Sequence, residues 1–202
     1  MNKPFWEQTY SDKNVSTFSK GPTADVKKFA HLLQAPSLVL DVGCGEGRNS
    51  IFLTTQGHTV DAFDLSEAGI EKAKGIAKDM GLNINFWQQD LAGFVFQKEY
   101  DAILSHGVLH LPEKEYRDKF ILEAQKYTKV GGYHFICVFT NRLPATPDNA
   151  PFTKSLFDVG ELPEKYKGWE IIYHLERVLS DEHPGGIKYD HAQERILARK
   201  LF

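Results

Sequence analysis

Apolar positions in this chain gather into short unbroken runs, and between them lie stretches of helical spacing. Leu38-Val39-Leu40-Asp41-Val42, closed by glycines, predicts a buried strand. A helix is expected over residues 48–56, stopped at Gly57, and a second strand over residues 59–64. Ser66 can then N-cap a helix whose apolar stripe is Ile70, Ala73, Ala77 and Met80, with Gly81 just past its end. Residues 83–87 and 100–105 predict a third and a fourth strand. Pro112 precedes an amphipathic helix with Tyr116, Phe120, Ala124 and Tyr127 turned inward, ended near Gly131-Gly132. Residues 134–140 predict a fifth strand. Such alternation argues for a parallel sheet covered on both faces.

The pattern changes after Thr140. Pro144, Pro147 and Pro151 break a polar stretch that predicts a loop, followed by a short helix over residues 161–166. Residues 169–175 and 195–202 predict two closing strands, joined through the segment around Pro184-Gly185-Gly186. No repeat or linker divides the chain, and 202 residues fit one domain.

Composition narrows the function classes. A formal charge of −3 gives no support for a nucleic-acid or anionic-membrane partner, although local basic patches can exist. The apolar run 135–139 is too short to span a bilayer, and the polar start of the chain offers no signal-peptide core. Cys44 and Cys137 make no disulfide framework. A cytoplasmic enzyme of undetermined oligomeric state is the expectation.

The chemistry concentrates in Asp41-Val42-Gly43-Cys44-Gly45-Glu46-Gly47-Arg48, at a strand end that opens a helix, where open α/β sheets bind ligands. Asp64 ends the second strand, where a carboxylate can accept both hydroxyls of a ribose; Asp90 follows the third, within reach of an adenine amine. A dinucleotide fingerprint begun at Gly43 requires glycine at position 48, which is Arg48. The carboxylates of Asp41 and Glu46 suit the ammonium and sulfonium of S-adenosylmethionine better than a pyrophosphate.

At these residues the chain resembles the class I methyltransferases. Asp41-x-Gly43-x-Gly45-x-Gly47 looks like their first motif, Asp64 their ribose carboxylate, and Asp90-Leu91 their adenine-side pair. Lys129-Val130-Gly131-Gly132 looks like their Lys-Pro-Gly-Gly turn. The resemblance implies an α/β, Rossmann-like fold, with a seven-stranded mostly parallel sheet whose last strand is antiparallel and helices on both faces. It also implies S-adenosyl-L-methionine as cofactor. The expected donor contacts are Tyr10, Asp41, Gly43, Cys44, Gly45, Gly47, Arg48, Asp64, Leu65, Asp90, Leu91 and Ser105.

A closer resemblance joins Gly47-Arg48-Asn49-Ser50, Tyr100-Asp101-x-Ile103-Leu104-Ser105, Gly160-Glu161-Leu162 with Tyr166-x-Gly168-Trp169, and Leu197-Ala198-Arg199-Lys200 to the tellurite-resistance (TehB) methyltransferases. It implies methylation of tellurite and related oxyanions, with Tyr10 near the donor and Arg48 beside its methionyl end. The single domain is expected to comprise an N-terminal helical lid or cap (residues 1–35), a donor-binding core (36–140) and an acceptor-side loop with closing strands (141–202). The His-Arg pair that family carries before its last hairpin is not reproduced: His183 is followed by Pro184.

His183 and His191 offer similar chemistry there, and with Lys188 and Arg195 they form the expected acceptor site. His106, after the fourth strand, is a third catalytic candidate. Phe5, Trp6, Tyr10 and Phe18 can form a lid or pack an N-terminal helix. His106 and His110 lack a third partner for a metal. Cys44 fits its loop by its small size. The acceptor is expected to be a small molecule, an oxyanion of the tellurite or selenite type or a thiol. A non-catalytic donor-binding protein and a nicotinamide-dependent oxidoreductase are the alternatives. The Asn/Asp-Pro-Pro-aromatic element of amino-methylating nucleic-acid enzymes is absent at Ser105-His106-Gly107-Val108.

Overall fold

The computed structural model describes residues 4–12, 15–16, 21–183 and 187–202. The short apolar runs form β1 (Leu38–Val42), β2 (Thr59–Asp64), β3 (Asn85–Gln88), β4 (Tyr100–His106) and β5 (Thr128–Phe139). These pair in parallel in the order β3-β2-β1-β4-β5. β7 (Ile187–Arg199) runs antiparallel between β5 and β6 (Glu170–His183) and completes a seven-stranded sheet. Helices α1 (Phe5–Tyr10), α2 (Ala24–Phe29), α3 (Arg48–Thr55), α4 (Glu67–Asp79), α5 (Lys114–Lys126) and α6 (Glu161–Lys165) complete the fold. Alternate residues of β1 enter different cores: Leu40 and Val42 join Phe63 and Ile103, while Val39 joins Val60 and Leu104. A strand buried on both faces is apolar at nearly every position, which is why β1 reads as a run interrupted only by Asp41 rather than an alternation.

Several local expectations hold. Gly69 N donates to Ser66 Oγ at 3.0 Å, so Ser66 caps α4. Met80 departs from the α4 stripe: it is the C-cap and stands 52% exposed. On α5 the buried position is Arg117, not the exposed Tyr116. Its guanidinium donates to Ser155 O at 2.7 Å and Asp118 Oδ1 at 3.0 Å, pairs with Glu161, and lies 3.8 Å over the Phe157 ring. A fully satisfied arginine can take a core position that the apolar pattern leaves unassigned. Gly131 and Gly132 fall inside β5, near the register shift against β4, instead of preceding the strand.

The largest difference lies at the closing strands. They extend over Glu170–His183 and Ile187–Arg199, so most of the segment expected to join them is a paired ladder from Glu176↔Glu194 to His183↔Ile187. Charged and polar residues along this arm dilute the apolar alternation, while backbone pairing still makes it a strand.

Two buried histidines make stability depend on pH. His134 lies 2.7 Å from both the Thr128 and Tyr166 hydroxyls, and burial pushes it down to about 3. Burial, then His191 and Arg117, push His110 to about 3 as well. In the unfolded chain both return to about 6.5. Below pH 6.5 the unfolded state therefore binds more protons, and stability falls as pH falls. The unfolding midpoint should decline from pH 6.5 to pH 5, with uptake approaching about two protons at the lower end. A midpoint that stays flat over this range would show that neither histidine is held neutral.

Candidate active site

The turn leaving β1 places Gly43 and Gly45 at φ of +66° and +55°, a region that favours glycine. A Cβ on Gly43 would lie 2.1 Å from Val108 Cγ2, and one on Gly45 would lie 2.3 Å from the Tyr10 hydroxyl. Bare backbone lets Val108 and Tyr10 close onto the loop from two sides. Gly43 N and Cys44 N donate to Phe63 O at 2.8 and 3.0 Å. Gly45 N and Ser66 N donate to Asp64 Oδ2 and Oδ1, each at 2.8 Å. Asp64 thus ties the loop to the end of β2, and each oxygen keeps a lone-pair site for a ligand. Burial raises its carboxyl above the ordinary value, against the two amide bonds that lower it.

Asp41 accepts the Ser50 hydroxyl at 2.6 Å and is raised by burial. Together with Tyr10, Arg48, Asn49 and His106 it surrounds a cavity of about 30 Å³, room for a water molecule. Glu46, expected to offer its charge to a cationic ligand, is engaged by the protein. It pairs with Lys72 at 2.9 Å, both side chains 6% exposed, and accepts the Ser16 hydroxyl. Lys72 Nζ also donates to the carbonyls of Thr9 at 3.0 Å, Asp12 at 2.9 Å and Val15. A buried ammonium therefore pins the chain that follows α1 against the glycine loop.

Beside this loop opens a cavity of about 1340 Å³. One wall carries Asp64, Leu65, Asp90 and Leu91; the other carries Arg177, His191, Gln193 and Arg195 from β6 and β7. Residues 191, 193 and 195 share a face through the two-residue period of β7. Phe5 and Trp6 border the opening, and Trp6 meets Phe152 edge-on at 5.8 Å. Phe18 lies outside the described residues. Asp90 caps the 3-10 turn Leu91–Gly93 through Ala92 N at 3.0 Å. Ser105 is fully buried and borders neither cavity; Gly47 is packed against Phe86 and Ala73. The Cys44 thiol is raised well above its ordinary value by burial, with Asp41 and Asp64 adding to the effect.

Of the three histidine candidates, His106 and His191 border the large cavity. His191 is buried and stacks on Phe139 at 4.7 Å. The backbone of His183 pairs with Ile187 at the end of the hairpin, and its side chain lies outside the described residues. Lys188 is exposed and does not line the cavity. His106 is the last residue of β4, with Nε2 2.8 Å from Asp25 Oδ2. Asp25 Oδ1 accepts from Arg195 Nη1 at 2.9 Å. Burial alone would raise the Asp25 carboxyl, but His106, Arg195 and Thr23 hold it well below its usual range. Sequence reasoning missed Asp25, Arg177, Gln193 and Lys72. An acidic residue early in a short helix carries no signal of a partner 81 positions away; the alternation Arg177-x-Leu179 opposite His191-x-Gln193-x-Arg195 does carry one.

No helix among the described residues is long and apolar enough to cross a membrane. No group of three or more His, Cys, Asp or Glu that could hold a metal occurs among them.

The chain matches the family described as "Tellurite resistance protein TehB" over residues 6–196. It is 33% identical over 198 residues to the "Probable S-adenosyl-L-methionine-dependent methyltransferase TehB" of Haemophilus influenzae strain 10810, covering 96% of this chain and 66% of that protein. The chain thus spans just under two thirds of the length of that curated relative. The crystal structure of TehB from Haemophilus influenzae superposes with a TM-score of 0.80 at 29% identity, covering 90% of this chain and 63% of that one. A Burkholderia thailandensis 1,6-didemethyltoxoflavin-N1-methyltransferase, solved with bound 1,6-didemethyltoxoflavin and S-adenosylhomocysteine, shares the fold. There the TM-score is 0.63 at 22% identity, covering 86% of this chain and 75% of that one.

Proposed function

From a chain that belongs to the TehB family, with the class I methyltransferase fold, we propose an enzyme that transfers the methyl group of S-adenosylmethionine to a small acceptor. The observation that carries this reading is the junction of the glycine loop with Asp64: two backbone amides orient a carboxylate whose remaining lone pairs fit a ribose diol. The surroundings fit the rest of the donor. Leu65 and Leu91 offer apolar contact for an adenine with Asp90 beside it, and Asp41 and Arg48 supply opposite charges for a methionyl ammonium and carboxylate. Tyr10, over Gly45, closes the loop side.

When bound, the donor supplies an electrophilic sulfonium methyl, so no covalent catalysis is required of the protein. The protein's part is to hold an acceptor in line and keep water out. Arg177, Gln193, Arg195 and His191 form the acceptor wall; the aromatic residues of α1 cover the opening. Arg177 has no carboxylate partner among the described residues, and Gln193 Oε1 is 3.5 Å from its Nη2 and 3.2 Å from Arg195 Nη2. Cationic donors of this kind suit an acceptor with an anionic group, an oxyanion of the tellurite or selenite type among them, or a thiol. The residues of this wall replace Lys188 in the acceptor site expected from sequence.

S-adenosylhomocysteine should stabilise the protein, since a ligand that binds only the native state raises stability by mass action: about 2.7 kcal/mol at 100 times its dissociation constant. Thermal unfolding with saturating S-adenosylhomocysteine, and separately with NAD, checks this. A shift with NAD and none with S-adenosylhomocysteine would overturn the assignment.

A further inference from the structure

We propose that His106 is the general base of the transfer, that Asp25 positions it, and that the acceptor therefore arrives with its proton on, as an S–H or O–H nucleophile. This rests on the methyl-transfer reading above. Asp25 has both carboxylate oxygens committed, Oδ2 to His106 Nε2 at 2.8 Å and Oδ1 to Arg195 Nη1 at 2.9 Å. An ionised carboxylate only accepts, so Nε2 carries the hydrogen of that bond, and in the neutral ring Nδ1 holds the lone pair. Nδ1 is buried and has no hydrogen-bond partner among the described residues. A buried polar atom without a partner calls for an explanation. Here His106 ends β4 and borders both the small cavity at Asp41 and the large one shared by the proposed donor and acceptor walls. The missing partner is the acceptor's own proton.

The groups around the ring include Tyr10 of α1, Asp25 of α2, Asp41 of β1, Arg48 of α3, Cys137 opposite on β5 and Arg195 of β7, with the Thr23 hydroxyl 3.4 Å from Nε2. Asp25 stands nearest and offsets the charge the imidazole gains. Arg195, on the far side of Asp25, fixes the carboxylate so that the ring cannot turn. As the acceptor's sulfur or oxygen forms its bond to the methyl carbon, its hydrogen passes to Nδ1. The electron pair of the broken S–CH₃ bond stays on the donor's sulfur, and the proton later leaves His106 for water. An oxyanion already ionised would need no such base.

The test joins a spectroscopic and a kinetic reading. In ¹⁵N-histidine-labelled protein, with His106 identified by its loss in His106→Asn, the ring should show a protonated Nε2 and an unprotonated Nδ1 at pH 8. Asparagine at position 25 can donate to Nε2 and favours the opposite tautomer. Methyl transfer is then followed to benzyl mercaptan, largely protonated at neutral pH, and to 4-nitrothiophenol, which is ionised. In Asp25→Asn and His106→Asn the loss of kcat for benzyl mercaptan should exceed that for 4-nitrothiophenol by more than about tenfold. Calorimetry with S-adenosylhomocysteine verifies that each variant is folded, and His106→Asn stands alone if Asp25→Asn fails that check. Protonation of Nδ1 at pH 8, or equal losses with both thiols, would overturn the proposal, as would donor binding with turnover of neither thiol. Failure of the parent to bind S-adenosylhomocysteine would bring down the methyl-transfer reading itself.

Discussion

Replacing Lys72 with methionine is expected to destabilise the protein by about 3–5 kcal/mol, the usual cost of removing one partner of a buried ion pair. The substitution takes the Lys72 ammonium from Glu46, whose side chain is 6% exposed, and from the carbonyls of Thr9, Asp12 and Val15 that share it. In a protein of this size each kcal/mol moves the melting temperature by about 2–4 °C, so thermal unfolding should shift down by roughly 10 °C. The companion variant Lys72→Met/Glu46→Leu separates the pair's own worth from the penalty of an orphaned charge. It should recover much of the loss, since two apolar side chains can replace a buried pair at little net cost. It should not recover the attachment of the segment after α1, because no donor remains for its carbonyls. Limited proteolysis of that segment, faster in the double variant than in the parent, would register this difference. A single variant that melts within about 2 °C of the parent would show that Glu46 reaches water without Lys72.

Lys72 also shows where the reading of the chain ran out. On α4 the apolar positions Ile70, Ala73 and Ala77 point correctly to the core. Lysine beside such a stripe reads as solvent-facing, because a lysine's burial depends on acceptors that come from elsewhere in the chain. Here they come from Thr9, Asp12, Val15 and Glu46, distant in sequence. Arg117 and Asp25 escaped notice for the same reason. By contrast, β1, β2, the capping by Ser66 and the glycine loop were legible, since each depends on residues within a few positions of one another. The β6–β7 hairpin falls between these cases. Pro184-Gly185-Gly186 is plain in the sequence, but the length of the strands on either side was hidden, because they present arginine, histidine and glutamine to the cavity rather than apolar residues to a core. Among the positions that broke the apolar pattern, Arg177, His191, Gln193 and Arg195 border the proposed acceptor space.

The second large effect is expected at Asp64, the residue on which the proposed donor site turns. Two hydrogen bonds from ribose hydroxyls to a carboxylate are worth about 1.5–3 kcal/mol each, with losses to non-additivity. Asp64→Ala should therefore weaken S-adenosylhomocysteine binding by about 100- to 1,000-fold, as read by calorimetry. The alanine also releases Gly45 N and Ser66 N, so part of the loss will come from a loosened loop. Asp64→Asn separates the two contributions: its carboxamide oxygen still accepts one amide, while the NH₂ cannot accept a ribose hydroxyl. A loss in the asparagine variant close to that in alanine assigns the effect to the ligand's hydroxyls. 2′-Deoxy-S-adenosylhomocysteine should then bind the parent more weakly and the asparagine variant with little further penalty. The pH dependence has a definite sign. Burial raises the Asp64 carboxyl, and the binding form is the carboxylate, so affinity in the parent should begin to fall at a higher pH than the ordinary carboxylate range. In Asp64→Asn that acid limb should disappear. Affinity in a folded Asp64→Ala protein within tenfold of the parent would place the ribose elsewhere and remove the observation on which the methyl-transfer reading depends.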